Sequence, residues 1–239
     1  DVVNFPNVKL KKDGTPKATP NNTKVNRDNV QPFKEEDIPK MVKCFKSRID
    51  NAINHHSEMI ARRDLSMYIM GINIGLRVSD LVSLKWNEIY NDDWTFRDGK
   101  SITPKKTSKS GKHILLKYND DFRKAIDYYR QYCDIKKIDS YIFTSREGGH
   151  ICEDTVGTML KKVAKEVGIK YNIRTHSLRK TFCRLRYDHS NDKSKTLVEL
   201  MVLLGHSSPS VTKHYICVSE EELEALYNDV SIGFDAIFD

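Results

Sequence analysis

The residues best suited to chemistry are two arginines, two histidines and a late tyrosine. His176 and Arg179 are three residues apart, a spacing that puts both side chains on one face of a helix, where they can reach one phosphate. Arg77 lies at the expected junction of two helices, and His206 lies just past the end of another. Tyr215 follows nine residues after His206. Each residue alone is more often a surface or structural group, but the set as a whole suits chemistry at a phosphodiester.

Metal-free transesterification needs this combination of groups. Two guanidinium groups stabilise charge on the non-bridging oxygens with a planar geometry that lysine cannot copy. A phenol is a suitable nucleophile because its phosphodiester conserves bond energy for rejoining, and Tyr215 fits that role. A lysine whose pKa is lowered by adjacent cations can protonate the departing 5′ oxygen, and the lysine-rich segment 105–112 supplies candidates. We therefore expect neither a metal nor a cofactor.

The elements that must position these residues are mainly helical. Apolar residues recur at helical spacing, which predicts helices from about residue 33 to 49, 59–74, 78–84, 120–138, 153–168, 177–189 and 194–204. Residues typical of strands alternate with turn signals, which predicts strands near 94–96, 101–103 and 113–115. The predicted fold class is mainly α with a small three-stranded antiparallel β-sheet.

Two capping signals mark the C-terminal part of the chain. Ser208-Pro209 offers an N-cap followed by a proline at the first helical position, so a short helix should carry Tyr215. Ser219 and Glu222 form a capping box that starts a separate helix. We therefore expect a linker or extended arm over 1–32, one folded domain over 33–218 and an acidic tail helix over 219–239.

The charge distribution favours a polyanionic partner. The formal net charge is +7, the last basic residue is Lys213, and seven acidic residues follow it, so the folded body is strongly basic. An acidic membrane surface is the weaker alternative. The five cysteines lack zinc-site spacing and indicate a reducing compartment, and no apolar run is long enough to cross a bilayer. A cytoplasmic, DNA-associated protein, or a nuclear one in a eukaryotic cell, is expected.

Four segments, in this order, resemble the boxes of the phage-integrase family of tyrosine recombinases: Gly75 to Leu81, Lys106-Thr107, His176 to Arg179, and Leu204 to Tyr215. The resemblance covers roughly Phe33 to Ile216. It implies the tyrosine recombinase catalytic-domain fold, closing as a clamp on DNA, and an upstream DNA-binding domain that this chain lacks.

The resemblance also implies a role for each residue. Arg77 and Arg179 would clamp the scissile phosphate, and Tyr215 would attack it. His176 and His206 would transfer protons or donate hydrogen bonds. Lys106 would be the general acid, although Lys105 and Lys109 lie close by and Ser108 stands where the family often has glycine. Asp80 could orient Arg77 or simply favour the first turn of its own helix. Contacts to the DNA backbone are expected from Lys105, Lys109, Lys112, Lys180 and Arg184, for each of which a solvated surface position is the alternative.

The expected function is site-specific recombination of double-stranded DNA through a 3′-phosphotyrosyl intermediate, in the integration or excision of a mobile element. The expected partners are DNA, further copies of the chain in a tetramer that exchanges its C-terminal tails, and accessory DNA-bending factors. A type IB topoisomerase shares the chemistry, and a DNA-binding regulator that has lost activity could share the fold. A metal-dependent relaxase also uses tyrosine, but the sequence lacks its histidine triad.

Overall fold

The protein is described by a computed structural model over residues 30–102 and 114–217. In chain order its elements are α1 (Ile38–Asp50), α2 (His55–Ile74), α3 (Val78–Val82), β1 (Lys100–Ile102), β2 (Ile114–Leu116), α4 (Asp120–Arg130), α5 (Glu153–Glu166), α6 (His176–Asp188), α7 (Lys193–Leu204) and α8 (Pro209–Ile216). Short 3-10 turns lie at Glu35–Asp37 and Trp86–Glu88. The described chain is therefore mainly helical, as predicted.

Helix α2 is the centre of the main hydrophobic core, because α1, α4 and α6 all pack against it. Its buried apolar side chains include Met67, Tyr68, Met70 and Ile74. Burial of a large apolar side chain contributes about 1.5–3 kcal/mol, so this helix anchors the elements around it.

A second, smaller core joins α6, α7 and α8. Its buried residues are Phe182, Cys183, Leu197, Leu200, Leu204 and Ile216, and Tyr215 packs against them. The helix that carries the predicted nucleophile is thus attached to the body through a satellite core rather than the main one.

The predicted three-stranded sheet is not confirmed, because the described residues hold two of its strands. β1 pairs antiparallel with β2, with Ser101 opposite Leu115. The third predicted strand, at 94–96, is not a strand: Trp94 has a φ of 63°, and Phe96 forms an isolated bridge with Tyr90. Aromatic packing explains the difference, since the Tyr90 ring lies 4.6 Å from Phe96 and 5.5 Å from Trp94, which folds this segment back on itself.

Other element boundaries follow the sequence closely, with one clear error. The helix predicted over 120–138 ends at Arg130, and Ile138 beyond it accepts a hydrogen bond from Asn87 in a loop. Ser208 caps α8 as predicted, its hydroxyl accepting from Val211 N at 3.4 Å. Val30, placed in the predicted linker, is buried against the folded body. Residues 1–29 of that linker and the tail at 219–239 lie outside the described residues and stay predictions.

Candidate active site

Arg77 lies at the turn between α2 and α3, the helix junction that the sequence predicts. Helix α2 ends at Gly75, whose φ of 67° is left-handed, and a Cβ there would lie 2.5 Å from the ring of Phe182. The Phe182 ring in turn stacks with the guanidinium of Arg186 at 3.6 Å, and Arg186 donates to the carbonyl of Asn73 at 3.2 Å. These contacts fix the end of α2 from which Arg77 follows.

Arg179 is 5% exposed and joins the ends of two helices. Its Nη1 donates to the carbonyl of Gly75 at 2.8 Å, and its Nη2 donates to the carbonyl of Leu204 at 3.1 Å. These carbonyls close α2 and α7, where backbone acceptors lack partners within the helix and partial negative charge accumulates. Burial lowers the pKa of Arg179, but a guanidinium starts so far above neutrality that it stays charged.

Tyr215 lies on α8 beside these cations, with its hydroxyl out of solvent. The hydroxyl oxygen is buried and makes no hydrogen bond of good geometry in the described part of the chain, although the Arg179 guanidinium lies close enough to favour its anion. Burial raises the pKa of the phenol, while the nearby charges of Arg179 and Arg77 act in the opposite direction. Tyr215 is therefore protonated at neutral pH and lies where two guanidinium groups favour its anion.

His206 contacts the nucleophile ring edge to face. The two ring centroids are 5.1 Å apart at an interplanar angle of 68°. Burial, followed by the charges of Arg179 and Arg77, lowers the pKa of His206, so its imidazole is neutral at physiological pH. Its Nδ1 shares a 3.0 Å hydrogen bond with the hydroxyl of Thr212, which fixes the orientation of the ring.

Sequence reasoning missed Thr212, which is fully buried on α8. It precedes Tyr215 by three residues and Ile216 by four, and this helical spacing places all three on one side of the helix. That spacing was the available signal, but a threonine in a short helix carries no chemical signature of its own.

His176 and Asp80 lie at the edge of this group. His176 is the exposed first residue of α6, three residues before Arg179. Asp80 lies in the first turn of α3, and within residues 30–102 and 114–217 no ion pair joins it to Arg77. Its charge instead favours the protonated form of Arg179. The structure thus brings Arg77, Arg179, His206 and Tyr215 together, and of the two alternatives for Asp80 its position fits the one in which it favours the first turn of its own helix.

The prediction that Lys180 contacts DNA conflicts with its position. Lys180 is 6% exposed, and its Nζ donates to the carbonyl of Val30 at 2.6 Å. Arg184 is also committed to the protein, donating to the carbonyl of Cys217 at 3.0 Å and to Asp188 at 2.7 Å. A buried ammonium that is already bonded cannot extend to a phosphate, so we withdraw Lys180 as a DNA contact. The position of Arg184 conflicts less strongly with a DNA contact, since its side chain is partly exposed.

Four predicted site residues lie outside the described residues: Lys105, Lys106, Lys109 and Lys112. The roles of Lys106 as general acid and of the other three as DNA contacts stay predictions.

Two other kinds of site are absent from the described residues. Within 30–102 and 114–217, no three His, Cys, Asp or Glu side chains come together in a way that could hold a metal ion. None of the helices in these ranges is long and apolar enough to cross a membrane.

Comparison of the sequence with known proteins points to one family. The model of the phage integrase family matches residues 30–222. The probable integrase/recombinase YoeC of Bacillus subtilis is 33% identical over 167 residues, covering 70% of this chain and 83% of YoeC. The tyrosine recombinase XerC of Oceanobacillus iheyensis is 24% identical over 209 residues, covering 82% of this chain and 65% of that protein.

Solved structures share the fold. The XerA recombinase superimposes with a TM-score of 0.61 at 18% identity, over 85% of this chain and 66% of its own. XerH, solved with its palindromic difH substrate after cleavage, superimposes with a TM-score of 0.63 at 15% identity, over 82% of this chain and 52% of the XerH chain. The Tn1549 transposon integrase, solved with circular intermediate DNA, gives 0.56 at 14% identity, over 86% of this chain and 67% of its own.

The chain thus spans most of YoeC but about two thirds or less of XerC, XerA and XerH. A family match over residues 30–222, the fold of the solved recombinases and a partly buried tyrosine beside two arginines all agree. The chain belongs to the phage integrase family and carries the DNA recombinase domain of the tyrosine recombinases.

Proposed function

We propose that this protein is a site-specific recombinase that cleaves and rejoins DNA by metal-free transesterification through Tyr215. The observation that carries the proposal is the environment of the Tyr215 hydroxyl, which is buried, makes no hydrogen bond of good geometry in the described residues and lies near the charges of Arg179 and Arg77. A buried polar atom without a partner is costly in a folded protein and is commonly kept for function. A phosphate oxygen of DNA would supply the missing partner.

In the proposed cleavage step, the Tyr215 oxygen bonds to phosphorus and the bond from phosphorus to the 5′ oxygen breaks. Arg77 and Arg179 stabilise the charge that develops on the non-bridging oxygens. The phenol proton passes to an imidazole: His206 lies beside the Tyr215 ring, and His176 is the second candidate. Lys106 gives a proton to the departing 5′ oxygen. Rejoining reverses these transfers when a 5′ hydroxyl attacks the phosphotyrosine.

The proposed biological role is integration or excision of a mobile element. The likeness to YoeC, named a probable integrase/recombinase, and to the integrase of the Tn1549 transposon supports this role. Double-stranded DNA is the proposed substrate, bound by a tetramer with the help of accessory DNA-bending factors. The acidic tail at 219–239 is proposed to dock on a neighbouring copy, because a narrow apolar stripe with acidic flanks suits a basic groove.

A nicked suicide duplex tests the proposal, because loss of a short strand traps the covalent intermediate. We expect the wild-type chain to form a covalent adduct and Tyr215→Phe to form none while still binding DNA, since the change removes one hydroxyl and little volume. Tyr187→Phe is the matched control, because Tyr187 packs on the same small core, and it should form adduct normally. Addition of a metal chelator should change nothing.

Two outcomes would overturn the proposal. Adduct in Tyr215→Phe would assign the nucleophile to another residue. Tight DNA binding by the wild type without any adduct would indicate a DNA-binding regulator instead.

A further inference from the structure

A buried ammonium joins two distant parts of the chain behind the nucleophile. Lys180, on α6, donates from Nζ to the carbonyl of Val30 at 2.6 Å and to Sγ of Cys217 at 3.2 Å. The same Nζ lies 5.4 Å from the centroid of the Tyr215 ring. Val30 and Cys217 are 187 positions apart in the sequence, yet they meet at this lysine.

These partners are unusual for a buried lysine. Removing an ammonium from water is costly unless a carboxylate or several hydrogen bonds compensate. No carboxylate of the described residues lies within ion-pair distance of Lys180, whose partners are a carbonyl, a thiol and the face of a ring. A lysine that served only solubility would extend into solvent along its flexible stem. Its retention inside the protein therefore needs another reason.

Cys217 is also contacted by a residue from the next turn of α6. Arg184 donates from Nη1 to the carbonyl of Cys217 at 3.0 Å. Cys217 itself has a φ of 55°, a left-handed conformation that residues other than glycine adopt at some cost. Helix α6 therefore holds both the thiol and the carbonyl of Cys217 in a conformation that needs outside support.

Helix α8 depends on such support because its apolar anchoring is small. It extends over Pro209–Ile216, where Ile216 and the partly buried Tyr215 pack on the satellite core. Thr212 is also buried and is hydrogen-bonded to His206. Polar contacts just after the helix, at Cys217, attach its end to α6 at a further point.

We propose that Lys180 is a positioning residue for Tyr215, holding the end of α8 against α6 and tying it to the incoming chain at Val30. This inference rests on the proposed role of Tyr215 as the nucleophile. It connects Val30 directly to the active site, since any shift of Val30 acts on the same ammonium that holds Cys217. Lys180 acts through the placement of Tyr215 and does not touch the phosphate.

The test compares the rate of adduct formation at saturating DNA with the affinity for DNA. Lys180→Met keeps the apolar stem and removes the ammonium. We expect its single-turnover rate to fall about ten- to a hundred-fold, the loss typical of a small misplacement of a reacting group. Its affinity and the salt dependence of binding should match the wild type. Lys136→Met, which removes one charge from a lysine with an 84% exposed side chain, should leave both quantities unchanged.

A phosphate-contacting lysine would behave in the opposite way. Weaker DNA binding with a salt slope reduced by about one, and a normal rate at saturation, would overturn the inference. So would a normal rate with normal affinity. Adduct formation by Tyr215→Phe would contradict the proposed function. A normal rate for Lys180→Met, with no adduct from Tyr215→Phe, would contradict the inference alone.

A second pair of variants decides the matter if Lys180→Met does not fold. Among the contacts described for Arg184, Arg184→Met removes both the bond to the Cys217 carbonyl and the ion pair to Asp188, whereas Asp188→Asn weakens the ion pair and keeps the bond to Cys217. We expect Arg184→Met to slow adduct formation at saturating DNA, and Asp188→Asn to react at the wild-type rate. Equal rates for Arg184→Met and the wild type would overturn the inference.

Discussion

Replacing Arg179 by lysine separates what its charge does from what its shape does. The guanidinium donates from two nitrogens to two helix-end carbonyls, at Gly75 and Leu204. Lysine is shorter and has a single nitrogen, so it cannot reproduce this planar two-nitrogen fork, and we expect one of the two bonds to be lost. A hydrogen bond from a charged donor contributes about 1.5–3 kcal/mol, and Arg179 is too buried for water to replace the lost bond. We therefore expect the free energy of unfolding to fall by about 1.5–3 kcal/mol. For a chain of this size that lowers Tm by about 3–12 °C.

Arg77→Lys is the matched control, because Arg77 is half-buried and donates to no helix-end carbonyl in the described residues. Its Tm should stay within about 2 °C of the wild type. Both variants should lose covalent cleavage, since lysine cannot form the planar fork on the phosphate. Thermal unfolding followed by circular dichroism, with adduct formation measured in parallel, distinguishes the two. An unchanged Tm for Arg179→Lys, or an equal loss for Arg77→Lys, would refute the reasoning.

Four further predictions concern individual parts of the site. Thr212→Val keeps the shape of the side chain but removes the hydroxyl bonded to His206, so single-turnover cleavage should slow while DNA affinity is unchanged; equal rates would contradict this. Because burial holds the pKa of His206 below its ordinary 6.5, the unfolded chain binds more protons there, and the free energy of unfolding should decrease as pH falls through about 6.5. In denaturant titrations, the free energy of unfolding of His206→Gln should depend less on pH than that of the wild type. Lys106→Ala should stop cleavage of normal DNA but not of a substrate with sulfur at the 5′ bridging position, because a thiolate leaves without a proton. If the sulfur substrate rescued Lys105→Ala instead, Lys105 would be the general acid. Deletion of 219–239 should weaken cooperative assembly on paired sites while the domain stays folded, and undiminished cooperativity would exclude tail exchange.

The parts of the fold that the sequence predicts well are those with a local physical cause. Helix periodicity located the helices, and the N-cap at Ser208 correctly started α8. Gly75 correctly ended α2, because its left-handed φ closes the helix. The strand predicted at 94–96 failed because three aromatic rings pack on one another across a turn, a contact that period-two patterning does not detect.

Site residues were predictable by type but not by environment. The sequence singled out Arg77, Arg179, His206 and Tyr215 because the chemistry of a phosphodiester requires those groups, and the structure brings them together, while their catalytic roles stay predictions. It could not show that Arg179 also closes two helices, since Gly75 and Leu204 are distant in sequence from it. The sequence also does not show which residues are buried. It therefore predicts Lys180 as a DNA contact, whereas in the structure Lys180 is buried next to Cys217, directly after the end of α8.

The central claim, that Tyr215 forms the covalent bond to DNA, can be tested by locating that bond. Lys213 is the last basic residue, so complete trypsin digestion of a trapped adduct releases residues 214–239 as one peptide. This peptide contains two tyrosines, Tyr215 and Tyr227, which fragmentation in a mass spectrometer distinguishes. The account predicts a nucleotide remnant on Tyr215 through a 3′-phosphate. A remnant on Tyr227, on a serine or on any other peptide would contradict it.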